Sequence, residues 1–381
     1  MTIRGDAAAG YRPGVRERAS ESPRRLVLWS IALVAAAVGL YLVLPEVAGL
    51  EETWGRLSEG DPIWIGVAAG FELGSYAAYV LAFHRLFALP GSRIGWRESY
   101  DISLAGVAAT RLLALAGAGG IVLSAWALNR SGMARQEVAS RLTTFYVAFY
   151  AVFMGALVVF GVGLRVGLLS GPAPFGLTVV PSAFGGLVIV AALLAAKLPS
   201  DLPARARSRL LGRPRVGLWL STLATGAATV AQGVRGAIGL LRGRDSALLG
   251  ALGWWAFDIA VLWACFHAFG EPPSLGVLVM AYFTGMLGNL LPLPGGLGGV
   301  EGGMIGALIG FGVDAGLAIA AVLSYRAFAF WLPMLPGLLA YLRLRRTVGE
   351  WNEVSEADGA EATVTARDAA PSPLRKRGEE Q

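Results

Sequence analysis

The chain has 381 residues, 55% hydrophobic and 15% charged, with a net charge of +6 and a mean hydropathy of +0.59. That balance excludes a soluble domain and describes an all-α polytopic membrane protein. The single cysteine, Cys265, excludes an internal disulfide, and His84 and His267 stand too far apart for a metal motif. The basic residues read as topology signal and lipid headgroup contact, not as a nucleic-acid surface.

A basic cytoplasmic arm, 1–25, precedes the apolar run Leu26–Leu44, which is long enough to span a bilayer as a retained signal-anchor. The following loop carries Glu46, Glu51, Glu52, Glu59 and Asp61 against Arg56 and belongs outside. Pro62–Phe83 spans next, and Arg85, Arg93 and Arg97 belong inside. Arg130, Arg135 and Arg141 are inside as well, so Ile102–Leu128 must enter and leave by one face. Its middle, Leu112-Leu-Ala-Leu-Ala-Gly-Ala-Gly-Gly120, is a natural turn. A limb such as Ser103–Ala116 would be ~21 Å long as a helix, short of a ~30 Å core, which favours a re-entrant hairpin over two short spans.

Thr143–Leu164 and Leu177–Leu198 then cross, and Arg205 to Arg215 returns the chain inside. Val216–Leu241 has basic residues at both ends and reads as an interfacial or partly buried helix. Ala247–Phe269 crosses outward. Leu275–Phe311 then dips in and returns through Leu290-Leu-Pro-Leu-Pro-Gly-Gly-Leu-Gly-Gly-Val-Glu-Gly-Gly303. Two prolines and six glycines in those fourteen residues cannot hold a regular helix. Broken backbone at membrane depth survives only when packed in protein or lining a polar cavity, which marks a candidate working site. Ala315–Leu342 is the last span, followed by Arg343, Arg345 and Arg346 on the inside and a tail, 347–381, whose composition predicts disorder.

The expected architecture is therefore about six spanning helices plus two oppositely oriented re-entrant helical hairpins, with the transmembrane domain at 26–346. Span, hairpin and span occur twice, at about 62–165 and 247–342, as an inverted repeat. The two turns share Leu-Leu-x-Leu-x-Gly, and Phe71-Glu72 and Phe257-Asp258 occupy similar settings before them. Each hairpin also precedes a span that opens with an arginine near aromatics, Arg141 and Arg326.

An ionisable side chain at mid-span costs ~2.5–3.5 kcal/mol on insertion scales, so it faces the protein interior and has a partner. The candidate substrate-binding set is Glu72, Arg111, Gly117, Gly119, Gly120, Asp258, Asn289, Pro292, Pro294, Gly295, Gly296, Gly298, Glu301 and Arg326. These residues either form a midplane headgroup cavity or hold the hairpins by structural ion pairs, and both can be true at once. Tyr76, Tyr79, Trp254 and Trp255 read as packing or interfacial anchors.

Pro292-Leu-Pro-Gly-Gly-Leu-Gly-Gly-Val-Glu301, a Gly/Ala-rich limb and Tyr325-Arg326 together resemble the lysylphosphatidylglycerol synthase transmembrane family, as do the Gly117–Gly120 turn and Trp255 with Asp258. The resemblance covers roughly 25–345 and implies lipid handling. The implied partner is a membrane lipid: an anionic or aminoacylated phospholipid, or a polyprenyl-linked lipid. Full-length synthases carry a soluble aminoacyl-transfer domain, and too little chain follows Arg346 for one, so no enzyme activity is expected. No Walker A motif is present and no cofactor is expected. The expected function is a lipid flippase or a transporter of a lipid-linked substrate, multi-pass in the plasma (inner) membrane with both termini cytoplasmic. The alternative is a non-catalytic scaffold for a lipid- or glycan-modifying enzyme. A partner enzyme and a second copy of the chain are the protein partners left open.

Overall fold

The computed structural model describes residues 60–112, 118–199, 214–290 and 296–368. The expected first span, Leu26–Leu44, and the turn residues Gly117, Pro292, Pro294 and Gly295 lie outside these. The described residues are helical, with no strand among them. Five helical stretches are long and apolar enough to cross a membrane: Pro62–Phe87, Arg135–Arg165, Phe175–Ala195, Ser246–Phe269 and Ala315–Glu353. They coincide with the five spans expected in this region.

Helix α1 (Pro62–Phe87) starts where a helix should. Asp61 accepts a hydrogen bond from Ile63 N at 2.8 Å, and Pro62 occupies a position whose N–H would go unused. Helix α7 (Ser246–Phe269) is capped the same way, by Asp245 on Ala247 N at 2.8 Å. The two helices run antiparallel over their whole length. Asp61 N donates to Ala268 O at one end, Ser75 Oγ to Trp254 O near the middle, and Arg85 faces Asp245 at 3.9 Å at the other end. Gly250 permits this approach, because a Cβ there would lie 2.6 Å from Ala78 O.

Each of these helices is followed by an antiparallel helical hairpin. The first pairs α2 (Trp96–Leu112) with α3 (Ala118–Arg130). The second pairs α8 (Leu275–Met286), extended by a 3₁₀ turn at Leu287–Leu290, with α9 (Gly299–Gly310). Their helical limbs are about 18–25 Å long at 1.5 Å per residue. Glycines let the limbs touch: a Cβ on Gly119 would be 2.4 Å from Ala109 O, and one on Gly288 2.3 Å from Gly299 O.

Both hairpins lead into the next long helix through the same turn. Ser131 N, Gly132 N and Met133 N donate to Ala127 O, Asn129 O and Leu128 O. Phe311 N, Gly312 N and Val313 N donate to Ala307 O, Ile309 O and Leu308 O. Gly132 (φ 98°) and Gly312 (φ 88°) supply the left-handed residue that ends each helix.

After the first turn, α4 (Arg135–Arg165) packs on α5 (Phe175–Ala195) and on α6 (Pro214–Gly243). Helix α6 buries Ala224, Ala228, Ala231 and Val234 along one stripe. Its Arg235 donates to Ala196 O and Leu198 O, satisfying carbonyls at the end of α5. After the second turn, α10 (Ala315–Arg326) opens on the Asp314 cap and passes into a π-helical stretch, Ala327–Trp331. Pro333, just beyond, has no N–H to give Ala329 O, and the ladder widens before it, with Leu332 N reaching Ala327 O.

Helix α11 (Met334–Asp368) corrects one expectation. The tail expected to be disordered from 347 is helical as far as Asp368. Its Ala- and Glu-containing sequence favours helix once nucleated, and a preceding helix removes the nucleation cost. Arg93 Nη1 on Trp351 O (3.1 Å) and Arg130 Nη1 on Asn352 Oδ1 (3.0 Å) hold the start of this extension.

The buried side chains form two groups, one around each hairpin. Phe83, Phe87, Ile102, Leu128, Phe145 and Leu344 belong to the first, and Leu262, Phe266, Leu278, Met304, Leu308 and Tyr325 to the second.

Candidate functional site

The charged positions singled out from the sequence converge between these two groups. Glu72 on α1 and Asp258 on α7 adjoin each other across the antiparallel pair, beside the contact of Phe71 with Phe257 (centroids 6.3 Å apart). Glu72 is 1% exposed and Asp258 6%. Asp258 Oδ2 accepts hydrogen bonds from the hydroxyls of Tyr325 (2.8 Å) and Tyr282. Glu72 Oε2 meets no hydrogen-bond donor among the described residues.

The arginines close the cluster from the other side. Arg111, at the end of α2, donates through Nη2 to the Tyr76 hydroxyl at 2.8 Å and through Nη1 to Phe330 O at 3.3 Å. Arg326, at the end of α10, donates through Nε to Glu301 Oε1 at 2.6 Å, with both side chains nearly buried. The ring of Phe330 lies under both guanidinium groups, 5.7 Å from that of Arg111 and 4.9 Å from that of Arg326. The π-helical stretch therefore supplies both a carbonyl for Arg111 and an aromatic face for the two cations.

Glu301 has a second task. Its Oε2 accepts from Gly298 N at 2.8 Å, closing the first turn of α9 as the third-residue arm of a capping box. Gly298 has no side chain to return the bond, but its φ of 80° requires glycine. One carboxylate thus caps a hairpin limb and neutralises an arginine on the next helix.

Of the fourteen candidate residues, Glu72, Arg111, Asp258, Glu301 and Arg326 come together in this cluster. Gly296 and Gly298 shape the approach to α9, with φ values of 69° and 80°. Asn289 is more peripheral. Its Nδ2 bonds Met286 O at 3.2 Å, and a Cβ on Gly296 would meet its Oδ1. Gly119 and Gly120 lie buried between the limbs of the first hairpin, where Thr110 Oγ1 accepts from Gly120 N at 2.9 Å. Gly117, Pro292, Pro294 and Gly295 lie outside the described residues.

Arg141 departs from its expected parallel with Arg326. It bonds Leu86 O at 2.9 Å, where α1 ends, and Glu137 on its own helix. Sequence reasoning missed Tyr76, Tyr282 and Phe330 as members of the cluster. Tyr76 had a signal, since it lies one helical turn after Glu72 on the same face. Tyr282 had none, being one apolar-looking residue in a buried helix.

Comparison with known proteins gives the family. Residues 27–337, well over half of the chain, match the model of the lysylphosphatidylglycerol synthase TM region. A UPF0104 membrane protein of Methanothermobacter thermautotrophicus is 24% identical over 343 residues, 85% of this chain and 96% of the relative. Another match to a UPF0104 membrane protein of that organism is 40% identical over 91 residues, 24% of this chain and 26% of the relative. A third is 33% identical over 79 residues, 20% and 24% respectively, so these two shorter matches span about a quarter of each relative. With five apolar helices long enough to cross a bilayer among its described residues, the chain belongs to the lysylphosphatidylglycerol synthase transmembrane-region family, as a multi-pass helical membrane protein.

Proposed function

We propose that this protein carries an amphipathic lipid between the two leaflets, with the headgroup passing between two re-entrant hairpins and the tails remaining in the bilayer. The observation that carries this reading is the cluster of Glu72, Asp258, Glu301, Arg111 and Arg326, drawn from both hairpins and both of the antiparallel helices α1 and α7. Intramembrane charge has a substantial insertion cost, and in membrane proteins it marks substrate and ion paths.

The hairpin limbs, at about 18–25 Å, are shorter than a ~30 Å hydrocarbon core, which supports re-entrance. Arginines lie at both ends of the first hairpin, Arg93 and Arg97 before it and Arg130 and Arg135 after, which supports a cytoplasmic location for both of its ends. The antiparallel course of α1 and α7 supports entry of the second hairpin from the opposite face, as in an inverted repeat. Both termini are cytoplasmic on this reading, and the membrane is the plasma (inner) membrane.

The lipid is anionic, aminoacylated or polyprenyl-linked, and Arg111 meets its phosphate through charge-assisted hydrogen bonds. The protein acts by binding and release, without bond-making chemistry. Purified full-length protein in liposomes with fluorescent lipids of several headgroups tests this. The wild type accelerates leaflet exchange, and Arg111→Ala and Glu301→Ala reduce it. Wild-type exchange no faster than that of empty liposomes, for every headgroup, would overturn the reading.

One observation favours a scaffold as the second reading: α11 continues well past the last apolar stretch, with Arg93 and Arg130 fastened to it. A scaffold requires that extension and tolerates Glu72→Gln, whereas a transporter does the reverse.

A further inference from the structure

The carboxylates outnumber the arginines in the buried cluster. Glu72, Asp258 and Glu301 stand against Arg111 and Arg326 among the described residues, which leaves one negative charge without a counterpart. Each acid has a different degree of satisfaction. Glu301 uses one oxygen on Arg326 and the other on Gly298 N. Asp258 receives two tyrosine hydroxyls on Oδ2. Glu72, 1% exposed, has in Oε2 a buried oxygen that no donor reaches. Leaving a buried carboxylate oxygen as an unpaired anion beside a second carboxylate is the most costly arrangement of the three.

One proton removes both anomalies at once. On Glu72 it cancels the excess charge and turns the carboxylate into a hydrogen-bond donor, with Asp258 adjacent as an acceptor. The polar and titratable groups that face the pair come from five helices, with a sixth behind them. Helix α1 brings Tyr76, α2 Arg111, α7 Cys265, α8 Tyr282, and α10 Tyr325 and Arg326, with Glu301 of α9 behind Arg326. None of these is a second free acid, so the vacancy for a proton falls on the Glu72–Asp258 pair.

The location is suited to exchange. The pair lies where α1 and α7 cross their equivalent positions, beside Phe71 and Phe257. Arg111 links it to the first hairpin through Tyr76, and Arg326 links it to the second. A deprotonated pair and an arriving anion compete for the Arg111 guanidinium, so an anion is held there only while the pair carries its proton, and headgroup and proton occupy the cluster together.

We infer that Glu72 and Asp258 form a single-proton site, and that this proton is the coupling ion of the lipid transport proposed above, on which the second half of the inference rests. Two measurements separate the halves. The first is infrared difference spectroscopy, acid minus alkaline, on the purified full-length protein in liposomes. The wild type shows the C=O stretch of a protonated carboxyl, Glu72→Gln removes it, and Glu137→Gln, whose carboxylate pairs with Arg141 outside the cluster, keeps it. A band unchanged in Glu72→Gln, or lost in Glu137→Gln, overturns the site.

The second is the leaflet distribution of a fluorescent phosphatidylglycerol at steady state under an imposed pH gradient, with the membrane potential clamped at zero. One proton per lipid supports a leaflet ratio of up to about tenfold per pH unit, since a pH unit is worth about 1.36 kcal/mol per proton. The ratio falls to unity in Glu72→Gln, whose exchange is slower than that of the wild type. A wild-type ratio of unity with rapid exchange overturns the coupling. Absence of exchange for every lipid tested, with the infrared band intact, takes down the transport reading and sustains the proton site. Asp258→Asn, which keeps an acceptor for both tyrosines, repeats the test if Glu72→Gln does not reach the membrane folded.

Discussion

The two hairpins have the same outline and are held together by different physics. The first is polar along its leading limb, with Arg97, Glu98, Asp101 and Arg111 on α2, and its limbs meet through glycines and the hydroxyl of Thr110. In the second the leading limb is apolar and buried from Gly276 to Phe283, and the trailing limb is fastened by Glu301 to Gly298 and Arg326. A fold can thus repeat a backbone while moving its charge from one limb to the other. The cluster needs both versions, because the arginine of the first and Arg326, which the glutamate of the second holds, lie over the same Phe330 ring.

If that contrast is right, the second hairpin should be the more sensitive to loss of charge. Glu301→Ala leaves Arg326 nearly buried without its carboxylate, and removing one member of a buried pair costs about 3–5 kcal/mol. Thermal unfolding in detergent should show this as the largest loss of the series. The double replacement Glu301→Gln with Arg326→Met should recover part of it, because a neutral pair has no charge to strand. Tyr325→Phe removes one of two hydroxyls on Asp258, and a hydrogen bond to a charged group contributes about 1.5–3 kcal/mol. If Asp258 were fully served by Tyr282, chemical denaturation of Tyr325→Phe would match the wild type.

The first hairpin should instead break by crowding. Gly119→Ala sets a methyl 2.4 Å from Ala109 O, against backbone, and overpacking of this kind costs about 1–3 kcal/mol. Gly302→Ala, where nothing lies within 4 Å, should stay within about 0.5 kcal/mol and serves as the control. Thr110→Ala strands the N–H of Gly120 and should cost about 1 kcal/mol, visible as faster amide exchange at Gly120. The smallest effect belongs to Glu137→Gln. Its pair with Arg141 is more than a third exposed at the glutamate, and such pairs contribute about 0.3–0.5 kcal/mol.

Much of this was legible in the chain, for identifiable reasons. A run of some twenty apolar residues has few fates, so the five described spans follow from composition. Charge inside an apolar run is expensive enough to have a partner, so Glu72, Asp258, Arg111, Glu301 and Arg326 could be marked before their partners were known. What was illegible was which partner. Arg141 stands in a setting like that of Arg326, yet it serves a helix terminus, because the end of α1 lies within its reach. The tail read as disordered since no apolar face marks it, and its helix continues from an element already formed. The matched turns at Gly132 and Gly312 left only Ala-Leu-x-x-x-Gly as their trace, Ala127 to Gly132 and Ala307 to Gly312, a pattern too short to stand out in a chain rich in these residues.

The contact between α1 and α7 has a consequence for how such a chain is assembled. Phe71 meets Phe257, Glu72 meets Asp258, and each helix starts against the end of the other. Like meets like, as across the interface of a twofold dimer, although a single polypeptide supplies both sides. The two halves are therefore related as subunits are, and each carries the self-complementary surface that recognises the other. Duplication of a smaller membrane protein that paired with an inverted copy of itself would leave this seam as its record. Once fused, the two sides are free to diverge, one keeping a glutamate where the other keeps an aspartate.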